Sequence, residues 1–218
     1  MSDDNGRHTF EGTDGQIPAE PDDDVLDAYE RGRAEMILDT PAGLREYLIR
    51  SGATWLADNW SGNRYMAASI ASVPVVELPE GFSIREIDPA DTAAVGEYAS
   101  LVRQSLRALS AHPTIANEGA TTHRFYIGVY SAHPGDVAVA ACTLCVADYQ
   151  KQGRVARLYD VSTAPEYRRQ HLSAALISSV LHRDFNDYQV AFLTSTSMGR
   201  PLYEWLGFVT VNQSEPLE

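Results

Sequence analysis

Three observations predict an α/β protein built on a mixed sheet. Val155–Thr163 is rich in β-branched and aromatic residues and stops before Pro165, as a strand does. From Leu172 the apolar residues fall at Leu172, Leu176, Ile177, Val180 and Leu181, the spacing of a helix with one buried face. Residues 125–130 and 137–146 are two strand-like runs on either side of His133-Pro134-Gly135-Asp136, which reads as a hairpin. Strands interleaved with helices indicate an α/β chain, and the hairpin an antiparallel pair within it.

The elements follow in order. Residues 1–30 carry ten acidic residues against Arg7 alone, −9 of the net −13, and through about residue 23 read as a disordered acidic tail. Residues 24–75 read as a helical N-terminal extension. One helical pattern uses Val25, Leu26, Tyr29, Met36 and Ile37; a second uses Leu44, Tyr47 and Leu48, with Thr40 as cap before Pro41 and Gly52 at its end. Trp55, Trp60, Tyr65 and Met66 read as packing onto the main domain. Residues 73–80, with Pro74 and Pro79, form the linker, and residues 80–218 form the domain. Its first strand is Phe82–Ile87. Asp88 then caps a helix from Pro89 through Ala94, Val95, Tyr98, Leu101, Val102 and Leu106. Residues 111–122 read as loop. After the hairpin, the strand and the long helix, residues 190–193 form a short buried strand. Ser197 offers an N-cap, Pro201 suits a first helical turn, and Gly207 closes the helix behind Leu206.

Composition excludes several classes. No apolar run approaches the ~18 residues that span a bilayer, and the first ten residues have no apolar signal region. A soluble, cytoplasmic protein is the expectation. A net charge of −13 argues against nucleic acid or an anionic membrane as partner. Cys142 and Cys145 lie three apart on a strand, hence on opposite faces, where they cannot clasp one metal. Buried structural thiols and no metal site are expected.

The turn between residues 163 and 172 has chemistry of its own. A helix that opens straight off a strand presents unpaired amides and the positive end of its dipole, and Arg168 and Arg169 add charge and forked donors. That is an anion site in physical terms. The bland alternative is a solvated turn with surface arginines.

Here the sequence resembles the acetyl-coenzyme A binding core of the GNAT superfamily of N-acetyltransferases. Arg168-Arg169-Gln170-His171-Leu172-Ser173 stands where that family has R/Q-x-x-G-x-G/A, and Thr163-Ala164-Pro165 resembles its V-x-P strand end. Arg200-Pro201-Leu202-Tyr203-Glu204-Trp205-Leu206-Gly207-Phe208 is similar to its x-x-L-Y-x-x-L-G-F helix. Two ordered motifs with the right elements between them are far more specific than either alone. The resemblance implies the GNAT fold, a central and mostly antiparallel sheet flanked by helices. The departures are His171 and Ser173, where the family has glycines that let a pyrophosphate approach the backbone.

The resemblance also implies roles. Val161, Ser162 and Thr163 would hold the pantetheine arm and acetyl carbonyl of acetyl-CoA. Arg168, Arg169, Gln170, His171, Leu172, Ser173 and Ala174 would hold its pyrophosphate. Tyr203 would protonate the departing thiolate, and Ser197 stands where relatives often have an asparagine touching the cofactor arm. For the general base Asp160 is the candidate, a carboxylate on the strand beside the acetyl site, although alternation sets it opposite Tyr159 and Val161. A structural pairing of Asp160 with Arg157 is the competing reading, and His112 and His123 read as surface groups. The expected activity is acetyl transfer from acetyl-CoA to a primary amine of a small molecule, amino acid or peptide. The rival is a GNAT-shaped binding or regulatory module whose loop, altered at His171, no longer takes coenzyme A. The resemblance admits a homodimer, because many relatives pair through their last strands.

Overall fold

A computed structural model describes residues 38–51, 64–105, 122–131, 139–148 and 154–212. The chain divides into a unit Met1–Glu35 and a unit Met36–Glu218, and every described residue belongs to the second. The acidic tail, the first helical pattern and the expected loop at 111–121 therefore lie outside the described residues.

Helix α1, Pro41–Arg50, forms where the pattern placed it. The Thr40 hydroxyl accepts from the Gly43 amide at 3.1 Å, Pro41 occupies the first turn, and Leu44, Tyr47 and Leu48 are buried. Strand β1, Arg64–Ser69, follows. Then come β2, Phe82–Ile87; α2, Thr92–Ser105; β3, Thr122–Tyr130; and β4, Val139–Asp148. After these are β5, Val155–Thr163; α3, Leu172–Asp184; β6, Val190–Ser195; α4, Arg200–Trp205; and the two-residue β7, Val209–Thr210.

The sheet order is β2-β3-β4-β5-β6-β1-β7. Among the described strands only β5 and β6 run parallel, and α3 makes the crossover between them. The other pairs are antiparallel. Helices cover both faces. On one, Leu144, Val146, Ala156 and Leu158 pack against Leu172, Leu176, Ile177 and Val180 of α3 and against Tyr203 and Leu206. On the other, α1 covers Tyr65, Ala67, Val155, Val190 and Phe192, while α2 covers Ile87, Ile127 and Cys145. The cysteines obey the alternation argument, since Cys142 faces α3 and Cys145 faces α2. Both are free and buried.

Three readings need correction. Residues 64–69, within the segment read as a helical extension, form a strand of the sheet, wedged between β6 and β7. Tyr65, Met66, Ala67 and Ala68 are all buried, so the strand is covered on both faces and shows no alternation. Helix α2 begins at Thr92 and not at Pro89. The Asp88 carboxylate closes a turn on the Ala90 amide at 2.8 Å, and Asp91 caps the helix through the amides of Ala93 and Ala94. Ser197 is not the N-cap of α4. The Thr196 hydroxyl accepts from the Gly199 amide at 3.1 Å, and the helix opens at Arg200, with Pro201 in its first turn as expected. Gly207 does end it, at φ +83, a left-handed turn that glycine adopts without cost.

Candidate active site

The paired register of β5 and β6 runs from Val155↔Val190 to Leu158↔Leu193 and stops there. Both strands continue, β5 to Thr163 and β6 to Ser195. A cavity of about 710 Å³ opens between the parting strands, floored by the start of α3 and walled on one side by α4. Its lining takes in Asp160, Val161, Ser162, Thr163 and Tyr203, with Arg168, Arg169, His171, Leu172, Ser173 and Ala174 from the loop and helix start. Eleven of the thirteen residues singled out from sequence thus meet around one space. Gln170 and Ser197 do not line it. Gln170 is exposed and its amide donates to the Glu166 carbonyl at 3.5 Å; Ser197 is exposed as well.

The loop is shaped by its backbone. Arg169 and His171 stand at φ +63 and +58, in the left-handed region where non-glycine residues are uncommon. His171 is the left-handed N-cap of α3 and makes no side-chain capping bond. A histidine thus holds a conformation that glycine would hold freely, and its ring leans on Trp205 with centroids 5.6 Å apart. Arg168 reaches back to the Thr163 carbonyl at 3.2 Å. The hydroxyls of Thr163 and Ser173 hydrogen-bond to each other, fastening the end of β5 to the first turn of α3.

Asp160 stands at φ +50 in a bulge, where the pairing with β4 slips between Thr143 and Cys145. The bulge breaks the expected alternation. Tyr159 packs with the clusters under α1 and α2, whereas Val161 packs on the α3 side. Asp160 accompanies Tyr159, and its carboxylate accepts a hydrogen bond from the Tyr98 hydroxyl of α2 at 3.2 Å. Tyr98, not Arg157, is its partner; the Arg157 guanidinium lies over the Tyr159 ring, 4.7 Å from its centroid. Burial raises the Asp160 pKa above the ordinary carboxylate value, and the Tyr98 bond partly offsets this. The Asp160 carbonyl accepts from the Thr143 hydroxyl at 2.7 Å, which also lies 2.6 Å from the Ser162 hydroxyl, so the bulge is pinned from within the sheet.

Tyr203 is 7% exposed, and burial pushes its hydroxyl up to about 12. A Cβ at Gly199 would come within 3.0 Å of its ring, so a glycine there leaves the phenol its place. Two residues of this site were not foreseen. Tyr98 reads in the sequence only as a buried position of α2, and Gly199 only as the residue before Arg200. Neither type signals chemistry, and Tyr98 reaches Asp160 only through the tertiary fold.

A mixed sheet whose one parallel pair among the described strands parts over a cleft, with a crossover helix opening onto it, is the arrangement expected of the GNAT fold. Residues 139–217 match the family model described as the Acetyltransferase (GNAT) domain. The chain is similar in structure to a functionally unknown conserved protein from Staphylococcus epidermidis ATCC 12228, with 8% identity and a TM-score of 0.52, covering 68% of this chain and 57% of that one. It is also similar to a GCN5-related N-acetyltransferase from Kribbella flavida, at 15% identity and a TM-score of 0.48, covering 69% and 55%. A predicted acetyltransferase with acetyl-CoA from Clostridium acetobutylicum shares 15% identity and a TM-score of 0.44, covering 63% and 96%. The chain thus spans little more than half the length of the first two. No curated protein matches the sequence. Among the described residues, no helix is long and apolar enough to cross a membrane.

Proposed function

We propose that the chain is an acyl-CoA-dependent N-acetyltransferase, carrying an acetyl group from acetyl-CoA to a primary amine of a small molecule, an amino acid or a peptide. The observation that carries this reading is the cleft between β5 and β6, where the arginine loop, the bulged Asp160 and Tyr203 meet around one cavity. Among the described residues, no strand pairs with β5 on its β6 side beyond Leu158. Backbone groups of Val161, Ser162 and Thr163 are placed to bond an extended, amide-bearing arm as a missing strand would. The amides at the start of α3, with Arg168 and Arg169, suit the pyrophosphate.

In the reaction the amine nitrogen bonds to the thioester carbon and the carbon–sulfur bond breaks. The proton lost by the amine passes to Asp160 through a water, and the sulfur leaves beside Tyr203. A phenol held near 12 is a weaker acid than a thiol at about 8.5. Tyr203 therefore acts on the sulfur chiefly as a hydrogen-bond donor that keeps its own proton at neutral pH.

The alternative, a non-catalytic module with a spoiled loop, needs His171 to displace the backbone from the conformation a glycine would hold. Its φ of +58 speaks against that. Calorimetric titration of the chain and of His171→Gly with acetyl-CoA tests the proposal. Saturable binding by the natural chain, followed by acetyl transfer to a panel of amines, is the expected result. Binding by the glycine variant alone would favour the module instead.

A further inference from the structure

Two aromatic rings at the cleft have no part in the roles above. Trp205 is 54% exposed on α4, although it lines the cavity, and the His171 ring lies beside it at 41°. The burial of α4 does not require an indole there. Tyr203 and Leu206 provide its inward contacts, while Trp205 points to solvent. A large aromatic surface left open beside a cavity marks a place where something flat can be covered.

The position of the pair suggests what that is. His171 belongs to the loop whose amides suit a diphosphate, and in coenzyme A the adenine follows the diphosphate by a single ribose. A base anchored through that diphosphate lies within one nucleoside's reach of the loop, and Trp205 is in ring contact with the loop through His171. We infer that Trp205, supported by His171, is a stacking platform for the adenine ring of coenzyme A. This rests on the acetyl-CoA reading above. It gives His171 a purpose that a glycine could not serve, because glycine would leave the indole without a ring behind it. Stacking makes no demand on hydrogen-bonding groups, so the platform sets affinity for the nucleotide end and leaves the thioester chemistry alone.

Binding of coenzyme A to the natural chain, Trp205→Ala and Trp205→Phe, followed by calorimetry and tryptophan fluorescence, tests the assignment. Removing a base-stacking ring is expected to raise the dissociation constant of the alanine variant about 5- to 100-fold, with the phenylalanine variant between it and the natural chain. Bound coenzyme A should quench part of the natural chain's tryptophan emission, and that quenching should be missing from both variants. Equal affinity for the alanine variant, or no quenching in the natural chain, overturns the platform and leaves the acetyl-CoA reading standing. Failure of the natural chain to bind coenzyme A at all overturns both.

Discussion

The Tyr98 hydroxyl of α2 donates to the Asp160 carboxylate of β5 across 3.2 Å, joining the helix layer to the bulge at the cleft. The bond favours the ionised carboxylate, while burial opposes it. Tyr98→Phe removes the favourable part, so Asp160 should hold its proton to higher pH. If Asp160 is the base, the acid limb of the pH profile of kcat/KM moves to higher pH and the plateau stays near the natural value. A profile that does not move would detach Asp160 from that role.

Asp160→Asn should separate stability from activity. Burial raises the folded-state value of Asp160, so the stability tied to its neutral form is full below the ordinary carboxylate range and is lost as pH rises through the raised value. Asparagine stays neutral throughout and tolerates a left-handed backbone. The variant is expected to melt at a higher temperature than the natural chain at pH 7, with the difference closing towards pH 3. Its kcat should fall by about 10²-fold or more. Equal melting temperatures at both pH values would mean that the carboxylate is not strained by burial.

Tyr203→Phe keeps the ring that packs near Phe208, with centroids 6.1 Å apart, and removes only the hydroxyl. Stability should change little, while kcat falls by about 10²-fold, the low end for acid assistance, because the phenol is too weak an acid to give up its proton fully. A change in KM with kcat intact would place the hydroxyl in binding and not in the step at sulfur.

A fragment of residues 80–218 retains both sequence motifs but lacks β1. Strands β6 and β7, which pair with β1 on either side, would then face each other across an empty lane of backbone donors and acceptors. The fragment is expected to show no cooperative thermal transition by circular dichroism, whereas residues 38–218 retain one. A cooperative 80–218 fragment would show the strand to be dispensable.

The core of the fold from Phe82 onward was legible because its helices keep one apolar stripe and its turns carry Pro, Gly and Asp. Strand β1 was not. Its RYMAAS has no β-branched residue, two alanines with weak strand preference, and burial on both faces, so neither propensity nor alternation reports it. The cleft was legible as a pair of motifs, not as a shape, since nothing local says that β5 and β6 part after Leu158. Asp160 was singled out by its place on the strand that lines the cleft, but the bulge that turns it towards Tyr98 depends on its neighbours in β4. Two caps were misplaced: Asp91 and not Asp88 caps α2, and α4 opens after Gly199 and not at Ser197, because only backbone geometry fixes where a helix begins.

The lane occupied by β1 also sets the order in which the molecule can be assembled. During synthesis residues 64–69 emerge well before either partner, with Arg64 destined for Ser195 and Met66 for Thr210. Loops that long close slowly, so the first strand made is among the last to find its place. The cleft between β5 and β6 can therefore take its final form only after the far end of the chain has been made and has enclosed the near one.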